Sequence, residues 1–169
     1  MASLKKVVTV LVISIVNTIL LGSHFFELKR RLLILIGVKI GEKTKIVGPI
    51  HFGTMTTLSI GDNCYINRNF TIEGNGQVKI GDNCDIAPQV TILTGSHEIG
   101  NSQRRAGNGI IWNYEIGSGT WIGARTTILN GARIMDGVVI GVGSVVNKDC
   151  ERNSIFVGVP ARQIKFLDN

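Results

Sequence analysis

A bulky aliphatic returns at every sixth residue through most of this chain. The positions are Ile40, Ile46 and Phe52; Ile60, Ile66 and Ile72; Ile80, Ile86 and Ile92; Ile116, Ile122 and Ile128; then Ile134, Ile140 and Val146. Thirteen of those fifteen are isoleucine. Glycine directly follows Ile40, Ile60, Ile80, Ile116, Ile122 and Ile140. A small residue stands four places on, at Cys64, Cys84, Thr120, Thr126, Ala132 and Ser144. A period of six is neither the 3.6 of an α-helix nor the 2 of a plain strand. It fits a short strand and a tight bend, with the aliphatic inward and glycine supplying the backbone freedom of the bend. Three such strands close a triangular coil of about 18 residues, and stacked coils bury an apolar face that one coil could not bury alone. Grouped in threes, the series predicts an all-β repeat of about five coils.

The interruptions fall at one corner. The steps from Phe52 to Ile60 and from Ile72 to Ile80 are eight residues, and each follows the third strand of a coil. The long step, from Ile92 to Ile116, falls at the same place. Residues 93–115 are therefore expected to leave the stack as one long extruded loop. A loop of that length inside a compact repeat is usually functional.

Composition agrees with an aliphatic-lined prism. Hydrophobic residues make up 44% and aromatics 6%, and 21 Gly stand against 3 Pro, which excludes collagen and wholesale disorder. The net charge of +6 favours anionic partners, but no aromatic-basic pattern or zinc-finger spacing points to nucleic acid. Cys64, Cys84 and Cys150 form no close pair, which suits a reducing compartment, and the first two sit in the small-residue slot as packing. His24 and His51 read as structural or solvated; His97 opens the extruded loop. The clusters Gly74-Asn75-Gly76 and Gly107-Asn108-Gly109 lack the Lys-Ser/Thr and strand–helix setting of a phosphate loop and read as turns.

Over about residues 38–166 the pattern resembles the hexapeptide-repeat family, which implies a left-handed parallel β-helix. The order Ile80-Gly81-Asp82-Asn83, Ala87-Pro88, His97, Thr120-Trp121-Ile122-Gly123, then residues 143–149 and Gly158-Val159-Pro160-Ala161-Arg162 is similar to the maltose/galactoside O-acetyltransferase group. The stretch around Ser96-His97-Glu98-Ile99 and Arg104-Arg105 looks closer to acetyltransferases of surface-polysaccharide pathways. The resemblance implies an acetyl-CoA-dependent O-acetyltransferase that acts on a sugar of capsule, O-antigen or exopolysaccharide and works as a homotrimer without a metal. An amino-sugar N-acetyltransferase or an antibiotic acetyltransferase is the alternative. A zinc carbonic anhydrase on this fold needs three histidine ligands, two closely spaced, and His97 is alone in its loop. A non-enzymatic scaffold would need neither His97 nor Trp121.

By the same resemblance His97 is the general base, since an imidazole with a pKa near 6.5 can take a hydroxyl proton at neutral pH. The hydroxyl then attacks the thioester directly. Trp121 would line the pantetheine channel, with Gly123, Ala124, Gly141 and Val142 lending backbone groups to the coenzyme. Lys148 and Arg162 stand where the family places cations for the coenzyme phosphates. Asn67 matches an acceptor-binding asparagine. Asn75 replaces an acidic sugar ligand and Glu98 the proline that commonly follows the catalytic histidine, so simple-sugar specificity is in question. Arg104 and Arg105 suggest an anionic feature in the acceptor or the coenzyme.

The chain divides at residues 1–37, 38–150 and 151–169: an apolar and basic helical segment, the β-helix, and a C-terminal extension. Residues 7–21 are nearly continuous aliphatic, with Lys5-Lys6 before them and Lys29-Arg30-Arg31 after. Fifteen residues make a helix of about 22 Å, short of the roughly 30 Å bilayer core. Three readings are open: a helix docked on the β-helix or a neighbouring subunit, attachment to a membrane surface, and a signal peptide. The last conflicts with a cytosolic coenzyme. The expected location is the cytoplasm, with the inner face of the membrane as the alternative.

Overall fold

The inward aliphatics of the repeat stack into three columns, one for each face of a three-sided solenoid. A computed structural model describes residues 2–168. On the first face Lys39–Ile40, Thr57–Ile60, Gln77–Ile80 and Tyr114–Ile116 pair in parallel, and single bridges extend the column from Ile116 to Ile134 and Cys150. The second face aligns Ile46, Ile66, Ile86, Ile122, Ile140 and Phe156, and the third Phe52, Ile72, Ile92, Ile128 and Val146. The fold is a left-handed parallel β-helix of about six turns. Five turns are those counted from the repeat; Cys150 and Phe156 add two sides of a sixth. The strand Ser154–Gly158 ends the stack and pairs antiparallel with Ala161–Phe166, so the C-terminal extension is part of the second sheet.

Fourteen of the fifteen repeat aliphatics are buried and Phe52 is half-buried. Each fully buried side chain contributes about 1.5–3 kcal/mol relative to exposure. The small residues four places on are buried too, and they hold the corners by hydrogen bonds. Thr44 Oγ1 donates to Gly61 O at 2.6 Å and accepts from Cys64 N at 3.0 Å; Cys64 Sγ donates to Gly81 O at 3.1 Å, and Cys84 Sγ to Gly117 O at 3.2 Å. The hydrogen bond with Cys64, then burial, pushes the Cys84 thiol well above the usual range. These thiols are packing groups.

The glycines after the aliphatics serve a purpose other than bending. A Cβ on Gly61 would lie 2.1 Å from Asp82 Oδ1 and 2.8 Å from the Gly81 backbone, so this position is fixed by the close approach of the next coil. The left-handed backbone of the corners falls two residues later, at Asn63 (φ 52°), Asn83 (φ 55°) and Gly119 (φ 69°). Asparagine tolerates that region, which is why it alternates there with glycine.

The N-terminal segment forms helix α1 (Ala2–Thr18) and helix α2 (Phe26–Leu35), which cap the open first coil. Val12, Val16 and Leu33 join the core. Asn17 Nδ2 donates to Ile50 O at 2.8 Å while its Oδ1 accepts from Ile50 N at 2.9 Å, and Arg30 Nε donates to Gly41 O at 2.8 Å. These bonds satisfy backbone groups at an edge that no earlier coil covers. The inner side of this segment is therefore docked on the β-helix, as one of the three readings expects, and its outer side remains exposed. No described helix is long and apolar enough to cross a membrane.

The extruded segment is ordered. Gly95–Ile99 and Ala106–Ile111 pair antiparallel as a hairpin, with a register shift between His97 and Ile99. Two expectations change here. Gly107-Asn108-Gly109 lies in a strand rather than a turn, and Tyr114, within the expected loop, is a fully buried core residue paired with Val78.

Candidate active site

His97 sits on the outgoing strand of the hairpin, directly across from Gly109. A Cβ built on Gly109 would meet nothing within 4 Å, so the space on the partner strand beside His97 is open. All five residues of its strand are exposed. What fixes the hairpin is its root. Thr94 N donates to Glu73 O at 2.7 Å, Trp112 N to Thr94 O at 2.8 Å, and Gln77 N to Asn113 Oδ1 at 2.8 Å. The Gly74-Asn75-Gly76 turn is packed on this root: Gly74 has φ +103°, and a Cβ there would stand 2.6 Å from Thr94 Oγ1. Asn75 is thus placed beside the hairpin base. Glu98 accepts from Asn108 Nδ2 at 3.2 Å, Arg105 Nη1 donates to Gly100 O at 3.3 Å, and Arg104 lines a shallow hollow of about 360 Å³ at the tip with Gly100, Asn101 and Asn108.

A second group gathers on the second face. Asn67 and Trp121 line one open cavity of about 350 Å³ with Tyr65, Asp85, Ile86 and Ala87. The strand residue before each inward isoleucine points outward, so register alone stacks Tyr65, Asp85 and Trp121 in one column. Trp121 is 57% exposed, a large ring with one side free. The sequence motifs do not single out Tyr65 and Asp85; the six-residue register, read on its outward side, would find them.

The coenzyme residues divide by what their backbone already does. Gly123 N donates to Ile140 O and Gly141 N to Phe156 O, both at 2.8 Å, and their carbonyls accept from Thr126 Oγ1 at 2.8 and 3.3 Å. A Cβ on Gly123 would lie 2.7 Å from Ile140 O and from Val142 N, and one on Gly141 2.5 Å from Val157 Cγ1. Stacking of coils is thus sufficient reason for both glycines. The N–H groups of Ala124 and Val142, one turn apart at the corner between the second and third faces, have no protein acceptor among the described residues. They fit the carbonyls of an extended, amide-bearing ligand such as pantetheine. Lys148 is exposed at the last corner of the third face, and Arg162 on the strand that closes the second.

Topology keeps the two groups apart within one chain. The hairpin leaves the corner between the third and first faces, and the Asn67–Trp121 cavity lies on the second face, across the prism from that corner. Asn75, His97, Glu98, Arg104 and Arg105 belong to the hairpin side; Asn67, Trp121, Gly123, Ala124, Gly141 and Val142 belong to the other.

Residues 113–148 match the family described as bacterial transferase hexapeptide (six repeats). The chain is 37% identical to the galactoside O-acetyltransferase of Escherichia coli K12 over 130 residues, 77% of this chain and 64% of that enzyme, so it spans less than two thirds of that relative. It is 30% identical to the acetyltransferase-family protein C18B11.09c of Schizosaccharomyces pombe over 145 residues, 84% of this chain and 70% of the other. The hexapeptide-repeat acetyltransferase VCA0836 of Vibrio cholerae, solved with acetyl coenzyme A, superposes with a TM-score of 0.83 at 27% identity, covering 99% of this chain and 89% of that one.

Proposed function

The chain belongs to the hexapeptide-repeat acetyltransferase family, and from that premise we propose that it is of the galactoside O-acetyltransferase type and transfers acetyl from acetyl-CoA to a sugar hydroxyl. The acceptor is a sugar of a surface polysaccharide or its precursor, and the work is done in the cytoplasm. The observation that carries the reading is His97, exposed on a hydrogen-bonded hairpin in a chain whose opposite side bears an exposed tryptophan and, at the adjoining corner, two free amides.

His97 accepts the proton of the acceptor hydroxyl as its oxygen bonds to the thioester carbonyl carbon. The carbon–sulfur bond then breaks, and the imidazolium returns the proton to the departing sulfur. Trp121 and the N–H groups of Ala124 and Val142 hold the donor, Lys148 and Arg162 meet its phosphates, and Asn67 with Tyr65 orients the acceptor. A backbone amide near the site would serve the developing oxyanion.

Because histidine and tryptophan stand on opposite sides of one prism, the reading includes a homotrimer whose sites lie between neighbours. An exposed two-stranded hairpin is marginal by itself. This one carries Ile99 and Ile111 exposed, which suits packing on an adjacent prism. The test is release of free thiol from acetyl-CoA with a panel of nucleotide sugars, lipid-linked sugars and polysaccharides. Turnover on a hydroxyl acceptor is expected; transfer confined to amino sugars would move the assignment to an N-acetyltransferase.

A further inference from the structure

Charge and exposed apolar surface are concentrated in one part of this chain. Residues 1–60 hold eight Lys and Arg against Glu27 and Glu42, a balance of +6. The remaining residues hold ten cations and ten acids, so the whole net charge resides in the first 60 positions. Over the same stretch α1 is apolar on both sides. Thr9, Val12 and Val16 face inward, while Leu4, Val7 and Leu11, on the opposite side of the helix, are exposed. Ile19 and Phe25 in the linker and Leu35 on α2 are exposed as well. Ten of the nineteen exposed large apolar side chains among the described residues fall between positions 4 and 35. An outer helix face as apolar as the inner one is a surface that awaits a partner.

We propose that α1, the linker and the outer side of α2 dock on an anionic lipid bilayer. At 17 residues α1 is about 26 Å long and lies in the interfacial plane instead of crossing it. Its apolar side enters the headgroup boundary and the exposed Lys6 meets lipid phosphates, while Arg31, exposed and paired with Glu27 at 2.8 Å, adds charge beside it. Charge selects this occupant. A second copy brought against the same surface would present like charge, whereas an anionic leaflet is attracted. Helix α2 also adjoins the acceptor cavity, since its half-buried Phe26 meets Tyr65 edge-on at 6.4 Å between ring centroids. Lipid docking does not depend on the acetyl-transfer reading; delivery of a membrane-borne acceptor to that cavity rests on it.

The experiment is co-sedimentation of the full chain with vesicles of mixed phosphatidylglycerol and phosphatidylcholine, against phosphatidylcholine alone. Binding to the anionic vesicles is expected to be about ten-fold or more tighter and to weaken with salt. Val7→Glu with Leu11→Glu, at two exposed positions, should lower it by about ten-fold or more while Tm and acetyl transfer to a soluble acceptor stay unchanged. If that pair perturbs the helix, Val7→Ser with Leu11→Ser carries the same test without new charge. The proposal is overturned by absence of anionic-vesicle binding, or by binding that both pairs leave intact. It is also overturned if either pair changes the oligomeric state, which would give the face to a second copy.

Discussion

The Tyr114 hydroxyl donates to the Leu93 carbonyl at 2.7 Å, across the base of the hairpin that carries His97, and accepts from Gly131 N at 3.1 Å. One buried phenol therefore ties the hairpin root to the next coil. Tyr114→Phe keeps the ring but leaves both backbone groups without this partner, at about 1–3 kcal/mol for a buried unsatisfied group. In a domain of this size that lowers Tm by several degrees. Hydrogen exchange across Gly95–Ile99 should rise, and kcat should fall more than the apparent affinity for either substrate. Unchanged exchange in the hairpin would show that the root holds without Tyr114.

Replacing His97 by Ala should reduce acetyl transfer by about 10²–10⁴-fold, the range of a positioned general base. The side chain is exposed, so Tm and the circular dichroism spectrum should match the wild type. Retained turnover refutes the role.

Much of this architecture is legible in the residues, because the repeat encodes burial directly: Ile66, Ile86 and Ile122 are six-residue positions and one buried column. What the period does not encode is conformation that two different residues satisfy for different reasons. Glycine at position 61 answers a clash with the next coil, while the bend itself is carried by Asn63. Tyr114 escapes notice because the long insertion hides the two-residue alternation that makes it equivalent to Leu58 and Val78. The site is half legible. His97 and Trp121 stand out by motif, and the six-residue register already sets them on different sides of a coil; what it does not encode is the hairpin that places His97 across from Gly109.

Alkaline pH should weaken the last turns. Burial, with the Asp149 carboxylate adding to it, pushes the Cys150 thiol up to about 12. The thiol titrates near 8.5 in an unfolded chain. A pKa raised by folding contributes stability that is fully present below about 8.5 and is lost as pH rises through the folded value near 12. Tm measured from pH 7 to 11 should therefore fall with pH, and Cys150→Ala should flatten part of that slope, at the cost of a cavity at neutral pH. A slope identical in both proteins would assign the alkaline loss to other groups.

Subunit mixing tests whether a site spans two chains. His97→Ala and Trp121→Ala each remove one half of the proposed site, and the exposed Trp121 can be truncated with little effect on folding. If each site takes its histidine from one subunit and its tryptophan from the next, unfolding and refolding an equal mixture places both intact halves together at random. About a quarter of the sites then regain full function in a closed trimer. Activity near that fraction, from two variants that are each deficient alone, is the expected result. If instead both residues act within one chain, every site in the mixture carries one lesion and activity stays at the mean of the two variants.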